Sequence, residues 1–274
     1  MAATNKRGVF SLETVLERQD SNNWTNILDP FIYVTSINPE QVAGPAMGYF
    51  AAGYNSGGYY YMSITQRLDY DNDTSQTVTK GNLPLEINEC HGGTGNTTYG
   101  YTFGGRGPSP SNNRLSTTYR VEYANDTALA SEKGSLSSGR RFNSSVGNAN
   151  YGYTGGRGGG GVGPTDNSLI DRVDYANDTA TATVVNATGM DPGARIVAAV
   201  GNQSYGYFAG GTPGTSVVRR LDYSSDTTAT SPKGPLSAVR GYCGPGTGNA
   251  DYGYVLGKNP SQGPSTDVER IDYS

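Results

Sequence analysis

Arg220-Leu221-Asp222-Tyr223, followed by the turn Ser225-Asp226-Thr227, decides the architecture, because the chain writes the same pattern five times. The other copies are Arg67-Leu68-Asp69-Tyr70, Arg120-Val121-Glu122-Tyr123, Arg172-Val173-Asp174-Tyr175 and Arg270-Ile271-Asp272-Tyr273, at successive spacings of 53, 52, 48 and 50 residues. A period near fifty means that one small unit is arrayed repeatedly, so the unit has to be read before any single motif. Within the quoted stretch a period of two places Leu221 and Tyr223 on one face and Arg220 and Asp222 on the other, as in a strand.

A second marker keeps step with the first. It reads Gly48-Tyr49-Phe50, Tyr99-Gly100-Tyr101, Tyr151-Gly152-Tyr153, Tyr205-Gly206-Tyr207 and Tyr252-Gly253-Tyr254. The central glycine is expected to leave room for a neighbouring backbone. After the acid-Tyr pairs come the polar turns Asn72-Asp73-Thr74, Asn125-Asp126-Thr127 and Asn177-Asp178-Thr179, and then Gly-x-Leu, as in Gly81-Asn82-Leu83 and Gly134-Ser135-Leu136. Short runs of Tyr, Val, Thr and Phe punctuated by Gly, Asn, Asp and Pro are strands. Four such strands per period, repeated radially, predict an all-β chain folded as a β-propeller of about five four-stranded blades over residues 31–274. Residues 1–30 stand outside the repeat as a short N-terminal arm.

The order of parts resembles the kelch repeat: a strand ending in Gly-Gly, a variable loop, an aliphatic-acid-Tyr strand, a Leu-containing strand and then an Arg, as at Arg240 after Leu236. Thr179-Ala180-Thr181-Ala182 and Thr227-Thr228-Ala229-Thr230 stand where kelch repeats carry a Trp. The repeat is also similar to those of Gly/Tyr-rich virion proteins, tail- or fibre-associated, of tailed phages infecting cyanobacteria. That resemblance implies a structural, non-enzymatic component of a phage particle, such as a tail-fibre, tail-tip or decoration protein.

Composition fits a turn-rich β protein: Gly is 40 and Tyr 21 of 274 residues, and charged residues are 16%. The net charge is −4, and the 20 basic residues are scattered with no run longer than two, so nucleic acid is not an expected partner. The start, Met1-Ala2-Ala3-Thr4-Asn5-Lys6-Arg7-Gly8, carries no apolar core of signal-peptide length, and no run of about 18 apolar residues follows. The expectation is therefore synthesis in a host cytoplasm, no membrane insertion, and export inside a particle. In the arm, Val9, Phe10, Leu12, Val15, Leu16 and Trp24 are the apolar residues expected to contact other virion proteins.

The candidate chemistry is sparse. His91 is the only histidine, and its neighbour Cys90 would point to the opposite face of a strand, so the two do not make a nucleophile and base. Two Cys and one His give no zinc spacing. Asp69, Asp71 and Asp73 alternate as in an oxygen cage but lack the bidentate Glu and fixed Gly of a calcium loop. The glycine run Gly155 to Gly163 lacks the Lys-Ser/Thr of a phosphate cradle and reads as a loop. Neither a metal nor a cofactor is expected. The acids Asp69, Glu122, Asp174, Asp222 and Asp272 recur in every unit beside an Arg, which argues for structural ion pairs between blades, since a catalytic acid breaks a repeat.

Distinctive contacts are then expected in the unequal loops, at Tyr59, Tyr60, Tyr61, Arg106, Arg114 and Arg157, facing other virion proteins or a host glycan, with a homo-oligomer in the particle. A carbohydrate-binding propeller, or a propeller glycosidase, is the alternative function. Because the chain reaches Ser274 directly after an acid-Tyr strand, Phe31-Ile32-Tyr33-Val34-Thr35-Ser36-Ile37 is expected to complete the last blade. Cys90 and Cys243 hold equivalent positions in separate units and are expected to be free thiols.

Overall fold

A computed structural model describes residues 47–55, 60–72, 74–89, 92–108, 113–158, 168–186, 190, 195–212, 214–244, 246–257 and 267–274. It is all-β, with five antiparallel sheets in a propeller arrangement. Blade 1 contains β1 (Met47–Ala51), β4 (Thr65–Asp69) and β5 (Val78–Thr79), with the small hairpin β2 (Tyr54–Asn55) and β3 (Tyr60–Tyr61) between its strands. Blade 2 is β6 (Gly92–Gly95), β7 (Tyr99–Phe103), β8 (Thr118–Glu122) and β9 (Ser131–Lys133). Blade 3 is β10 (Arg140–Gly147), β11 (Tyr151–Gly158), β12 (Ile170–Asp174) and β13 (Thr183–Asn186), and blade 4 is β14 (Ala198–Gly201), β15 (Tyr205–Ala209), β16 (Val218–Asp222) and β17 (Ser231–Lys233). Blade 5 shows β18 (Thr247–Gly248), β19 (Tyr252–Leu256) and β20 (Val268–Asp272). The segment 31–37 expected to complete blade 5 lies outside the described residues, as do the arm and Cys90.

The register repeats with the sequence. Tyr101 stands opposite Arg120, Tyr153 opposite Arg172, Tyr207 opposite Arg220 and Tyr254 opposite Arg270. In each of these blades the arginine lies over the ring of the first Tyr of the marker, at 4.1 Å for Arg120 on Tyr99 and 4.3 Å for Arg220 on Tyr205, within cation–π range.

The core is distributed over the seams between blades rather than gathered at one centre. Among the described residues four apolar clusters join blades 1 and 2 (Tyr49, Leu83, Val121), 2 and 3 (Tyr101, Phe103, Val173), 3 and 4 (Tyr153, Ile170, Leu221) and 4 and 5 (Tyr207, Val218, Ile271). Each seam has a tyrosine pair at its heart. Tyr123 stacks on Tyr49 at 4.9 Å, Tyr175 on Tyr101 at 4.7 Å, Tyr223 on Tyr153 at 4.8 Å and Tyr273 on Tyr207 at 5.0 Å. The marker glycine makes space for these rings, since a Cβ at Gly206 would meet Val146 and the Tyr223 hydroxyl. The expected neighbour of that glycine was a backbone; it is two side chains, because the ring ending a blade's third strand folds back over its second.

The recurring arginines do pair across blades, but with other acids than expected. Arg67, Arg120 and Arg172 each donate at 2.7 Å to the turn aspartate of the following blade, Asp126, Asp178 and Asp226. The same carboxylates accept the hydroxyls of Tyr49, Tyr101 and Tyr153 at 2.9 Å. Lys80 and Lys133 complete the first two clasps at 3.2 and 3.5 Å. The strand acids have a local task instead: Asp69, Asp174, Asp222 and Asp272 accept the backbone N–H two residues on, opening the turn. In the seam of blades 4 and 5 the Tyr207 hydroxyl donates to the Tyr273 carbonyl at 3.5 Å.

Burial pushes the Asp126 carboxyl up, but hydrogen bonds from Tyr49 and Lys80 and the Arg67 guanidinium hold it below its ordinary 3.8. A folded-state value below the unfolded one means that the contribution is present above 3.8 and is lost as pH falls toward the folded value. Urea midpoints measured from neutral to acid pH should therefore fall less steeply for Asp126→Asn than for the parent. Parallel acid limbs for the two proteins would show that this clasp is not coupled to folding.

Candidate functional site

In every complete blade the second strand ends, and the third begins, at the same edge where the first strand starts. The ends of the second strands, the starts of the third strands and the corners entering the innermost strands thus share one face. Those corners are strained at equivalent places: Glu89, Phe142, Ile196 and Tyr242 all have left-handed backbone, φ 52°, 55°, 52° and 48°. For an aromatic or β-branched side chain this region is costly, and such residues cluster where a site over-determines the backbone. Here a chain of backbone hydrogen bonds does so. Phe142 N donates to Glu89 O at 3.0 Å, Ile196 N to Phe142 O at 3.2 Å and Cys243 N to Ile196 O at 3.0 Å, linking four successive corners around the axis.

The side chains on this chain of corners form a mixed rim. Glu89 accepts from Arg106 at 3.3 Å and from Arg141 at 2.9 Å, joining the blade 2 loop to the blade 3 corner. Arg141 also lies 5.2 Å from the centroid of the Phe142 ring. Tyr242 projects to solvent, 51% exposed. The rim therefore offers two aromatic faces and an arginine-rich, hydrogen-bonding edge, chemistry suited to sugar faces and hydroxyls. Its carboxylate is held by two guanidiniums.

Of the loop residues singled out from sequence, Arg106 joins this rim, and Arg114 stands opposite it in an antiparallel bridge, partly buried. Tyr61 is half-buried on β3, paired with Tyr54. Tyr59 and the side chains of Tyr60 and Arg157 lie outside the described residues, as do His91, Cys90, Asp73 and the arm residues Val9, Phe10, Leu12, Val15, Leu16 and Trp24. Cys243 is a buried free thiol, its ionisation pushed up by burial, and a Cβ at Gly210 or Gly257 would crowd its sulfur. Among the described residues no group of three His, Cys, Asp or Glu could hold a metal, and no helix is long and apolar enough to cross a membrane. Glu89, Arg141, Phe142, Ile196 and Tyr242 carry no shared residue type, so only their common distance of nine or ten residues before each marker tyrosine could have revealed them.

Tyr242→Gly should relieve left-handed strain without losing a packed ring, and is expected to raise stability by about 1 kcal/mol. The check is urea denaturation beside a binding assay; an unchanged or lower midpoint would mean that the corner is not strained.

These observations define a five-bladed β-propeller with a loop-bearing face. The chain is similar in fold to the solved structure of YjhT, with a TM-score of 0.58 and 14% identity, covering 83% of this chain and 72% of that one. No family model and no curated protein matches. At that identity the likeness establishes the scaffold alone, which hosts many functions.

Proposed function

We propose that the chain is a non-enzymatic virion component, a kelch-like propeller that presents one loop-bearing face to a host surface or a neighbouring virion protein and is anchored by its N-terminal arm. The observation that carries the non-enzymatic part is the fate of the polar repeat residues: arginine, tyrosine, lysine and aspartate are consumed in the seams, and the rim carboxylate Glu89 is paired to Arg106 and Arg141. The virion part rests on the resemblance of the Gly/Tyr-rich repeat. The kelch-like part rests on the order of strands and on Arg140 and Arg240, which follow Leu136 and Leu236 at one interval.

Carbohydrate binding is the second reading, favoured by the exposed Tyr242 ring and the Arg141–Phe142 pair on one rim. Mass spectrometry of purified particles tests the first reading, and a chain lacking residues 2–24 should fold but fail to incorporate. A glycan array read with Tyr242→Ala tests the second. Turnover of a polysaccharide by the purified chain would overturn the non-enzymatic reading.

A further inference from the structure

Arg141 and Arg195 hold the same place on successive corners, each directly before a strained residue, and those two residues are joined by the bond from Ile196 N to Phe142 O at 3.2 Å. Two guanidiniums therefore rise from adjoining backbone. Arg106 joins them from the blade 2 loop, since its Nη1 and that of Arg141 converge on Glu89 at 3.3 and 2.9 Å. Among the described residues Arg195 makes no ion pair, so three cations at these corners are matched by one carboxylate. The Nε–H groups of Arg106 and Arg141 also have no partner. A guanidinium is a planar fork of donors shaped for an oxyanion, so donors left over beside a shared carboxylate mark a place for a second anion.

The other charges of the molecule do not fill that place. Arg140 is spent on Asp171, and Arg240 on Asp267 and Glu269. The recurring acids Asp69, Glu122, Asp174, Asp222 and Asp272 end the third strands, at the face away from the rim. Glu86, at the start of the blade 2 corner, is exposed and forms no ion pair with the three arginines. In a chain whose net charge is −4, the surplus of guanidiniums at the corners is local rather than compositional. Aromatic rings flank it. Arg141 lies 5.2 Å from the Phe142 centroid, and the exposed Tyr242 is on the next corner, whose Cys243 N donates to Ile196 O at 3.0 Å.

We propose that the rim binds a sugar bearing a carboxylate or sulfate, with Arg195 and the spare donor of Arg141 taking the anion and the Tyr242 ring taking the apolar face of the sugar. The inference rests on the carbohydrate reading and narrows it from sugars in general to acidic ones. It does not depend on the virion reading.

Isothermal titration calorimetry of the full chain with polygalacturonate, dextran sulfate, neutral dextran and polyglutamate tests this. An acidic polysaccharide should bind where dextran does not, and Arg195→Gln should weaken it about tenfold, the worth of one charge-assisted hydrogen bond. Lys233→Gln makes the same change of charge on the outer strand of blade 4 and should leave binding unaltered. Circular dichroism confirms that both variants fold. Polygalacturonate bound alone assigns the carboxylate, and dextran sulfate bound alone the sulfate. Equal losses in the two variants show attraction by net charge and overturn the site. Polyglutamate bound as tightly as the polysaccharides overturns it too, in favour of an acidic protein. Dextran binding that Arg195→Gln leaves unchanged overturns the acidic assignment and keeps the carbohydrate reading, whereas a chain that binds none of the polysaccharides ends both.

Discussion

Arg140→Met should lower the free energy of unfolding by about 4 kcal/mol, because it strands a buried carboxylate. Arg140 and Asp171 are both wholly inaccessible, and their ion pair is 2.9 Å long. The guanidinium also donates to the carbonyls of Gly156 and Leu169, at 3.1 and 3.3 Å, so one side chain ties the entry of blade 3 to its second and third strands. Asp171 receives a further N–H from Ser137, but its Oδ1 has no partner, so nothing else compensates the charge once the arginine is gone. Blade 2 shows how the same place is filled without charge: Ile87, fully buried, stands where blade 3 has Arg140, and Tyr119 where it has Asp171. The double substitution Arg140→Ile with Asp171→Tyr should therefore recover most of the loss, since apolar replacement of a buried pair is often neutral or better. Urea denaturation of parent, single and double variants decides it. A single-variant loss under about 1 kcal/mol would be an ordinary surface value and would mean the pair is not structural.

The blades were legible because their markers are local. Alternation in Arg220-Leu221-Asp222-Tyr223 and the turn residues after it are properties of a few consecutive residues, and five copies remove accidental matches. The seam partners were not legible for the opposite reason. Arg120 has Glu122 two residues away in sequence, yet its partner is Asp178, 58 residues on, because the radial arrangement of the blades brings the next blade's turn back over the strand pair. Gly81 and Gly134 look like ordinary turn glycines. In the structure a Cβ at either would strike the backbone of Ala128 or Ala180 in that returning turn, and their N–H groups donate to Asp126 O at 2.7 Å and Asp178 O at 2.8 Å. A Cβ at Gly234, the equivalent in blade 4, meets no atom within 4 Å. The rim was hidden for a third reason: its strain is fixed by backbone hydrogen bonds between corners, which accept Glu, Phe, Ile or Tyr alike.

Asp178→Ala should cost about 3 kcal/mol, while Asp174→Ala, four residues earlier in the same unit, should cost about 1 kcal/mol. The contrast follows from what each carboxylate holds. Asp178 is buried and accepts the Tyr101 hydroxyl at 2.9 Å and the Arg120 guanidinium at 2.7 Å, with Lys133 at 3.5 Å. Its removal leaves two cations and a buried hydroxyl facing one another across the seam of blades 2 and 3. Asp174 accepts a single exposed N–H, from Ala176 at 2.9 Å, and its loss lets water take over. Tyr101→Phe should fall between the two, because it removes one donor and keeps the ring stacked on Tyr175. For a chain of this size the Asp178 loss corresponds to a fall in Tm of roughly 6–12 °C. Thermal unfolding of the three variants ranks them, and equal losses for Asp174→Ala and Asp178→Ala would return the ion pair to the strand acids and remove the clasp from the account of how neighbouring blades are held.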